Sequence, residues 1–271
     1  MLAASVCWSF GGLFIKLIPW PSMSIVGMRA VLAALVFAAY RRSIRIKISK
    51  GNVIAALCLS STTMLFVFAN KLTTAAAAIL LQFTAPVFII IIELIFYKKR
   101  PKISEIVAAF ITILGMLLFF ADRPEAGSML GNSLALISGL TFAGVFICNK
   151  RPDVSSEQSL FLGFVFNAVI GLPFILTGVT ASAVAWGAVI FLGVIQVGIA
   201  YVFFSIGIKW TSALFACLIT ATEPVLNPVW VAIVLREYPG PYALVGGAVI
   251  VLTIVLYNVW SEKVRRRESA L

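Results

Sequence analysis

One carboxylic acid, Glu223, lies near the middle of an apolar run over residues 212–235. A carboxylate at the centre of a membrane helix costs about 2.5–3.5 kcal/mol on insertion scales, so this side chain is expected to face protein or water. In such a place it can bind a cationic group of a ligand or carry a proton. The alternative is a structural carboxyl group that is protonated and hydrogen-bonded to a neighbouring helix.

Helical spacing adds further side chains to the face that carries Glu223. Intervals of three or four residues give three more members of this face: Thr220, Asn227 and Trp230. The run over residues 75–97 has a comparable face: Gln82, Pro86, Ile89 and Glu93. Glu93 is close to the end of its run, so reaching the membrane interface is its alternative role. We expect the two faces to line a central, ligand-binding cavity.

Three residues in other apolar runs are candidates for the same cavity. Arg29 lies about a third of the way into its run. It pairs with Glu223 or faces the outer vestibule, and the sequence leaves both alternatives open. Gln196 is a further candidate, with interhelical hydrogen bonding as the default alternative. Trp8 is expected to line a hydrophobic pocket or to serve only in packing.

Two prolines interrupt the helical pattern beside these candidates. Pro86 and Pro224 predict kinks, and each frees a backbone carbonyl one turn earlier, at Gln82 and at Thr220. Those carbonyls either coordinate a ligand in the cavity or have no part in ligand binding.

The prolines belong to an internal repeat. A shift of 138 positions brings residues 71–101 onto 209–239 without a gap, with ten of 31 positions identical. Thr84-Ala85-Pro86-Val87 then falls on Thr222-Glu223-Pro224-Val225. A proline at one depth in both copies of an apolar helix predicts a site built symmetrically at mid-membrane.

The composition identifies a membrane protein. The 271 residues are 62% apolar and 11% charged, with a mean hydropathy of +1.08, whereas soluble domains are nearer one quarter charged. Ten apolar runs are long enough to predict ten transmembrane helices: 2–18, 23–40, 53–70, 75–97, 103–120, 131–149, 158–177, 185–207, 212–235 and 241–260. The first run is interpreted as a retained span and not as a signal peptide.

Loop charges predict the topology. Sixteen Lys and Arg residues fall in the loops and tail on one side and three on the other, which predicts that both termini are cytoplasmic. The predicted location is the inner membrane. Because each half has five spans, an odd number, the second half has the opposite orientation in the membrane. The predicted fold is therefore all-α, with two inverted five-helix repeats, 1–125 and 126–271, around a central cavity.

Several function classes are disfavoured. The chain contains no histidine, and its four cysteines are scattered singly, so neither a metal site nor a cofactor is expected. No Walker A, Gly-x-Ser-x-Gly or His-Glu-x-x-His motif occurs, which argues against an enzyme. The net charge of +11 is explained by the membrane loops, so nucleic acid is not an expected partner.

Several stretches together resemble the EamA type of the drug/metabolite transporter superfamily. These are Trp8-Ser9-Phe10-Gly11-Gly12, Met28-Arg29-Ala30, Lys209-Trp210-Thr211-Ser212-Ala213, Glu223-Pro224-Val225, Arg236-Glu237 and Gly246-Gly247. The resemblance implies ten helices, cytoplasmic termini and alternating access around a central cavity. Family substrates include amino acids, nucleotide sugars, nucleosides and drugs, often exported. The first half departs from the second in having Ala85 at the position of the glutamate.

We therefore predict a secondary transporter that exports a small organic metabolite, an amino acid or another amphipathic solute. Its expected partners are this solute, membrane lipid and a coupled proton if Glu223 carries one; both a monomer and a homodimer are compatible with the sequence. A channel or passive facilitator is the main alternative, and a membrane scaffold without transport is another.

Overall fold

The computed structural model describes residues 1–119, 121, 128–226, 230 and 240–268, and within them every regular element is helical. The helices are α1 (Leu2–Trp8), α2 (Gly11–Leu17), α3 (Ser22–Arg41), α4 (Lys50–Leu72), α5 (Ala75–Gln82), α6 (Ala85–Phe96), α7 (Ile103–Phe119), α8 (Met129–Cys148), α9 (Ser156–Gly178), α10 (Ala183–Phe191), α11 (Ala200–Gly207), α12 (Ala213–Thr220) and α13 (Pro241–Glu268). A π-helical segment, Leu192–Ile199, joins α10 to α11, and residues 222–226 are again helical after α12.

Seven helices in the described residues are long and apolar enough to cross a membrane: Ser22–Arg41, Lys50–Leu72, Ala77–Phe96, Met129–Cys148, Ser156–Gly178, Ala183–Trp210 and Leu244–Ser261. Three further apolar helices are shorter: Leu2–Leu17, Ile103–Leu118 and Ala213–Leu226. Because a helix satisfies its own backbone hydrogen bonds, this architecture suits a multi-pass membrane protein. The sequence correctly predicted an all-helical membrane fold; the count of ten spans stays a prediction.

Side-chain caps fix where several helices begin. The Ser49 hydroxyl accepts from the backbone N–H of Asn52 at 3.2 Å, at the start of α4. Ser128 does the same for Gly131 at the start of α8. Each cap satisfies one of the backbone N–H groups that the first helical turn leaves without a partner.

The two copies of the repeat share their local hydrogen bonds. Thr74 caps α5 by accepting from the N–H of Ala77 at 3.0 Å, and Ser212, 138 positions later, caps α12 by accepting from Phe215 at 3.2 Å. Both helices then stop after eight residues. Directly after them, two further threonines at the same offset donate to the carbonyl three residues earlier: Thr84 to Leu81 and Thr222 to Ile219.

The predicted kinks are therefore interruptions of the helix. After α5 ends at Gln82, two turn residues precede α6, and Pro86 lies in the first turn of the new helix. Proline is tolerated there because the first turn has no acceptor for its missing N–H. Pro224 likewise lies at the start of the helical residues 222–226. The carbonyl of Gln82 faces Gly139 of α8, where a Cβ atom would come within 2.8 Å of it, so α8 packs closely against this carbonyl.

The long helices pack in pairs around a polar centre. Helix α3 packs along α9, α4 lies against both α8 and α9, and α7 lies along α13. Asn167 of α9 fastens the pair with α4: its amide donates to the Thr63 hydroxyl at 2.6 Å and its oxygen accepts from Ser60 at 2.6 Å. These interhelical hydrogen bonds hold the helices that surround the candidate site.

Two glycines set the distance between α3 and α9. A Cβ atom on Gly171 would lie 2.4 Å from the Cα atom of Gly27, closer than any real contact. We expect Gly171→Ala to destabilise the protein by about 1–3 kcal/mol, because the helices must separate. Gly187→Ala is the matched control, since no atom lies within 4 Å of its added methyl group. Thermal unfolding in detergent checks this; equal midpoints for the two variants would contradict the close crossing.

Candidate functional site

A small cavity of about 40 Å³ lies among the helices, where the two main apolar clusters of the protein meet. Its walls come from both halves of the sequence: Trp8, Arg29, Thr62, Thr63, Phe66, Gln82, Phe142, Gln196, Val197, Tyr201 and Glu223. Five of these residues are candidates from the sequence: Trp8, Arg29, Gln82, Gln196 and Glu223.

Arg29 and Glu223 bring a guanidinium group and a carboxyl group to the cavity. Their side chains are almost fully buried, with 4% and 6% of their surface exposed. No ion pair joins them, and within the described residues neither belongs to any salt bridge. The Nη1 atom of Arg29 is buried without a hydrogen-bond partner there. Of the two alternatives for Arg29, pairing with Glu223 is therefore not observed.

Gln196 and Trp8 supply neutral polar atoms. The Gln196 amide nitrogen donates to the backbone carbonyl of Trp8 at 3.4 Å, while its Oε1 atom is buried without a partner in the described part of the chain. The indole Nε1 of Trp8 is in the same situation. Gly11 makes room for this arrangement, because a Cβ atom there would come within 2.8 Å of the Gln196 amide.

The backbone of Gln196 is unusual as well. It lies in the π-helical segment Leu192–Ile199, and π-helical turns inside α-helices are often found at functional sites. The wider turn gives the Gln196 side chain a direction that an uninterrupted α-helix would not give it.

Gln82 completes the polar lining. Its side chain donates to the Ser138 hydroxyl of α8 at 3.2 Å, and Ser138 donates in turn to the Ala135 carbonyl at 2.7 Å. Gln82 is thereby oriented by α8 while it lines the cavity.

The polar atoms of the cavity are complementary to a ligand that carries both a hydrogen-bond acceptor and a hydrogen-bond donor. Arg29 and Trp8 offer hydrogen-bond donors, and Gln196 and Glu223 offer acceptors. Leaving a buried polar atom without a partner costs about 1–3 kcal/mol, more for a charged group. A cluster of such atoms in one cavity is therefore typical of a binding site.

Two sequence candidates, Thr220 and Trp230, do not line this cavity. Thr220 is fully buried, but its hydroxyl donates to the Cys217 carbonyl at 2.6 Å. Trp230 donates to the Ser9 hydroxyl at 2.7 Å and stacks on Phe10, with ring centroids 4.7 Å apart. Asn227 lies outside the described residues.

Glu93 is also outside the cavity. Its carboxylate accepts from Lys99 at 2.6 Å near the end of α6, with the lysine about half exposed. This is the interfacial role that its place near the end of the run allowed.

Most of this chain matches one known protein family. The model of the EamA-like transporter family matches residues 1–121 and residues 129–259.

The chain belongs to the EamA-like transporter family.

Relatives of this EamA-like protein carry transporter names. An uncharacterized transporter of Archaeoglobus fulgidus is 26% identical over 203 residues, covering 74% of this chain and 73% of the relative. The uncharacterized transporter YwfM of Bacillus subtilis is 23% identical, covering 80% and 76%. The biotin transporter of Escherichia coli K12 is 25% identical, covering 90% and 88%. One solved crystal structure superimposes with a TM-score of 0.80 at 19% identity over 95% of each chain, which shows a shared fold.

Several residues that line the cavity of this family member were not singled out from the sequence. Tyr201, Phe66 and Phe142 are aromatic residues in apolar runs, where most such residues pack or face lipid. Thr62 and Thr63 are ordinary helix residues that donate to carbonyls of their own helix. Only the packing of the helices brings these five residues to the cavity, so the sequence carries no signal for them.

Proposed function

We propose that the protein is a secondary transporter that exports a small zwitterionic solute, an amino acid or a similar amphipathic metabolite. One observation carries the proposal: buried Arg29 and buried Glu223 line one cavity and do not pair with each other. Burial penalises the charged form of both side chains, which is costly unless another charge compensates it. A ligand that carries both an anionic and a cationic group compensates both at once.

The other lining residues support the same ligand class. The carboxylate of the solute accepts from Arg29 and from the indole N–H of Trp8. Its ammonium group donates to Glu223 and to the Oε1 atom of Gln196. Phe66, Phe142 and Tyr201 surround its apolar part, as aromatic and aliphatic walls do in most small-molecule sites.

Alternating access is supported by the closure of the site. A cavity of about 40 Å³ is far below the roughly 300–1,000 Å³ typical of ligand pockets, so the helices must move apart to admit a solute. Aromatic side chains pack against one another in the helices that form the site. Phe10 stacks on Trp230 and Phe14 on Phe191. Phe142, which lines the cavity, packs edge-to-face on Phe146, which packs on Phe204 in the same way.

The topology belongs to the proposal. Ten spans form two inverted repeats, 1–125 and 126–271, in the inner membrane, with both termini cytoplasmic. Two separate matches of the family's model and the shared hydrogen bonds at the 138-residue offset support two related halves. The interruptions at Pro86 and Pro224 provide hinges about which the helix bundles rock.

A counterflow experiment tests the proposed function. Proteoliposomes are loaded with an unlabelled aromatic amino acid, and uptake of the labelled compound is measured beside uptake of the corresponding amine and the corresponding carboxylic acid. We expect saturable counterflow for the zwitterion and at least about tenfold less for either analogue, because each analogue leaves one buried charge without a partner. Biotin enters the same screen because a relative bears the name biotin transporter.

The outcomes distinguish the alternatives. Flux that does not saturate and shows no counterflow would indicate a channel or facilitator. Equal counterflow of all three compounds would contradict a zwitterion site while leaving transport in place.

A further inference from the structure

A second, much larger concavity lies away from the central cavity. It is a groove of about 560 Å³ between α4, α6 and α8, at the end of the helix bundle where α6 and α8 finish and α4 begins. Its walls are mainly apolar, with Ile54, Ile92, Phe96 and Ile147 among them. Nothing in the proposed transport cycle uses this groove.

The outer wall of the groove is exposed in the helix bundle. Phe96 has 77% of its surface exposed and Ile54 49%. Both lie on membrane-length helices, so these surfaces face the lipid layer. The groove therefore opens sideways toward lipid, and its volume and apolar walls suit an acyl chain.

Polar groups occupy one end of the groove only. Arg151 donates from Nε and Nη2 to the two carboxylate oxygens of Asp153, at 2.9 and 3.0 Å. This hydrogen-bonded guanidinium lowers the pKa of the Asp153 carboxyl group. Tyr97, about half exposed, lies at the same end. An apolar trough with a polar mouth matches a lipid that has its headgroup at the interface.

The charge at the mouth selects the headgroup. Tyr97 is followed immediately by Lys98-Lys99-Arg100-Pro101-Lys102. Lys99 pairs with Glu93, and the segment 93–102 has four cations against one anion, a net charge of +3. Basic clusters at the ends of membrane helices attract anionic lipids by about 1 kcal/mol per Lys or Arg.

We propose that this groove is a binding site for one anionic phospholipid. An acyl chain lies against Ile54, Ile92 and Ile147, and the phosphate headgroup is held by the basic segment that follows Tyr97. The site is separate from the solute cavity, so lipid bound there holds α4 against α8 without competing with the solute.

Lipid titration of the purified full-length protein tests the site. Bound phosphatidylglycerol and phosphatidylcholine with identical acyl chains are counted by native mass spectrometry. We expect one saturable phosphatidylglycerol site. The double variant K98Q/R100Q should lower the affinity for phosphatidylglycerol by about fivefold for each cation removed and leave phosphatidylcholine binding unchanged.

A groove-filling pair provides the matched control. Ile54→Trp fills the groove and should lower the affinity for both lipids at least about tenfold, since the displaced acyl chain loses its apolar contacts. Leu57→Trp, on the same helix, 52% exposed and not part of the groove, should change neither. Gel filtration and thermal unfolding establish that each variant is folded.

Three results would overturn the proposal. One is equal affinity for the two lipids, and another is unchanged binding in the charge variant. The third is competition by glycerol phosphate as strong as that by the whole lipid, which would indicate a free-phosphate site.

Discussion

Glu223→Gln should lower counterflow of the zwitterionic solute by at least about 30-fold. The substitution keeps the size of the side chain and removes the charge that the ammonium group needs. Removing one partner of a buried charge pair usually costs about 2–5 kcal/mol, which gives this factor. The measurement is the initial rate of counterflow in proteoliposomes at a solute concentration well below saturation.

The same variant separates the two roles of Glu223. If it binds the ammonium group, counterflow and transport driven by a pH gradient both fall. If instead it carries the coupled proton, only gradient-driven transport falls, because exchange needs no net movement of protons. Unchanged rates in both assays would leave Glu223 a structural residue and contradict its part in the site.

Glu93→Gln is the matched control for this variant. Glu93 pairs with the half-exposed Lys99 near the end of α6, and surface ion pairs contribute only about 0–1 kcal/mol. We expect its transport rate to stay within about twofold of the unaltered protein.

The sequence could single out polar candidates for the site because polar and charged side chains are costly in lipid. Arg29, Gln196 and Glu223 stand out in runs of apolar residues, and all three line the cavity. Tyr201 and Phe142 line it as well, but an aromatic residue costs nothing against lipid and is therefore indistinguishable from its many neighbours. Polarity reveals site residues of a membrane protein only where it is out of place.

Helical spacing failed where the helix is interrupted. Thr220 and Glu223 were assigned to one face because three residues separate them. Helix α12 ends at Thr220, and the chain turns at Ala221 before it becomes helical again, so the spacing does not carry over. Trp230 was assigned to the same face, but its indole donates to the Ser9 hydroxyl and stacks on Phe10 and does not line the cavity.

The broad fold was easier to predict than its irregularities. Long apolar runs bounded by prolines and basic clusters specify helices and approximate limits, and Lys50–Leu72 and Met129–Cys148 fall where such runs occur. The break between α1 and α2 and the π-helical segment around Gln196 have no comparable sequence signal. Both irregularities adjoin the cavity, and they arise from tertiary packing, which local patterns do not report.

Arg29→Met should abolish counterflow of the zwitterion while leaving the protein at least as stable as before. Arg29 is 4% exposed, and it has an unpartnered Nη1 atom and no salt bridge within the described residues. Replacing a buried ion by an apolar side chain of similar length is often neutral or stabilising, by up to about 4 kcal/mol. A residue kept for ligand binding at the expense of stability should behave in this way.

Two further variants sharpen this test. Arg29→Lys keeps the charge but loses the planar, two-pronged donor geometry that fits a carboxylate, so we expect it to recover little transport. Arg45→Lys, at an exposed position between α3 and α4, is the matched control and should transport normally. Counterflow is measured beside the thermal midpoint for all three variants. Two results together would make Arg29 a structural cation. A clear fall in the thermal midpoint of Arg29→Met would show that the fold depends on this residue. Normal counterflow in Arg29→Lys would show that a positive charge alone is sufficient for transport.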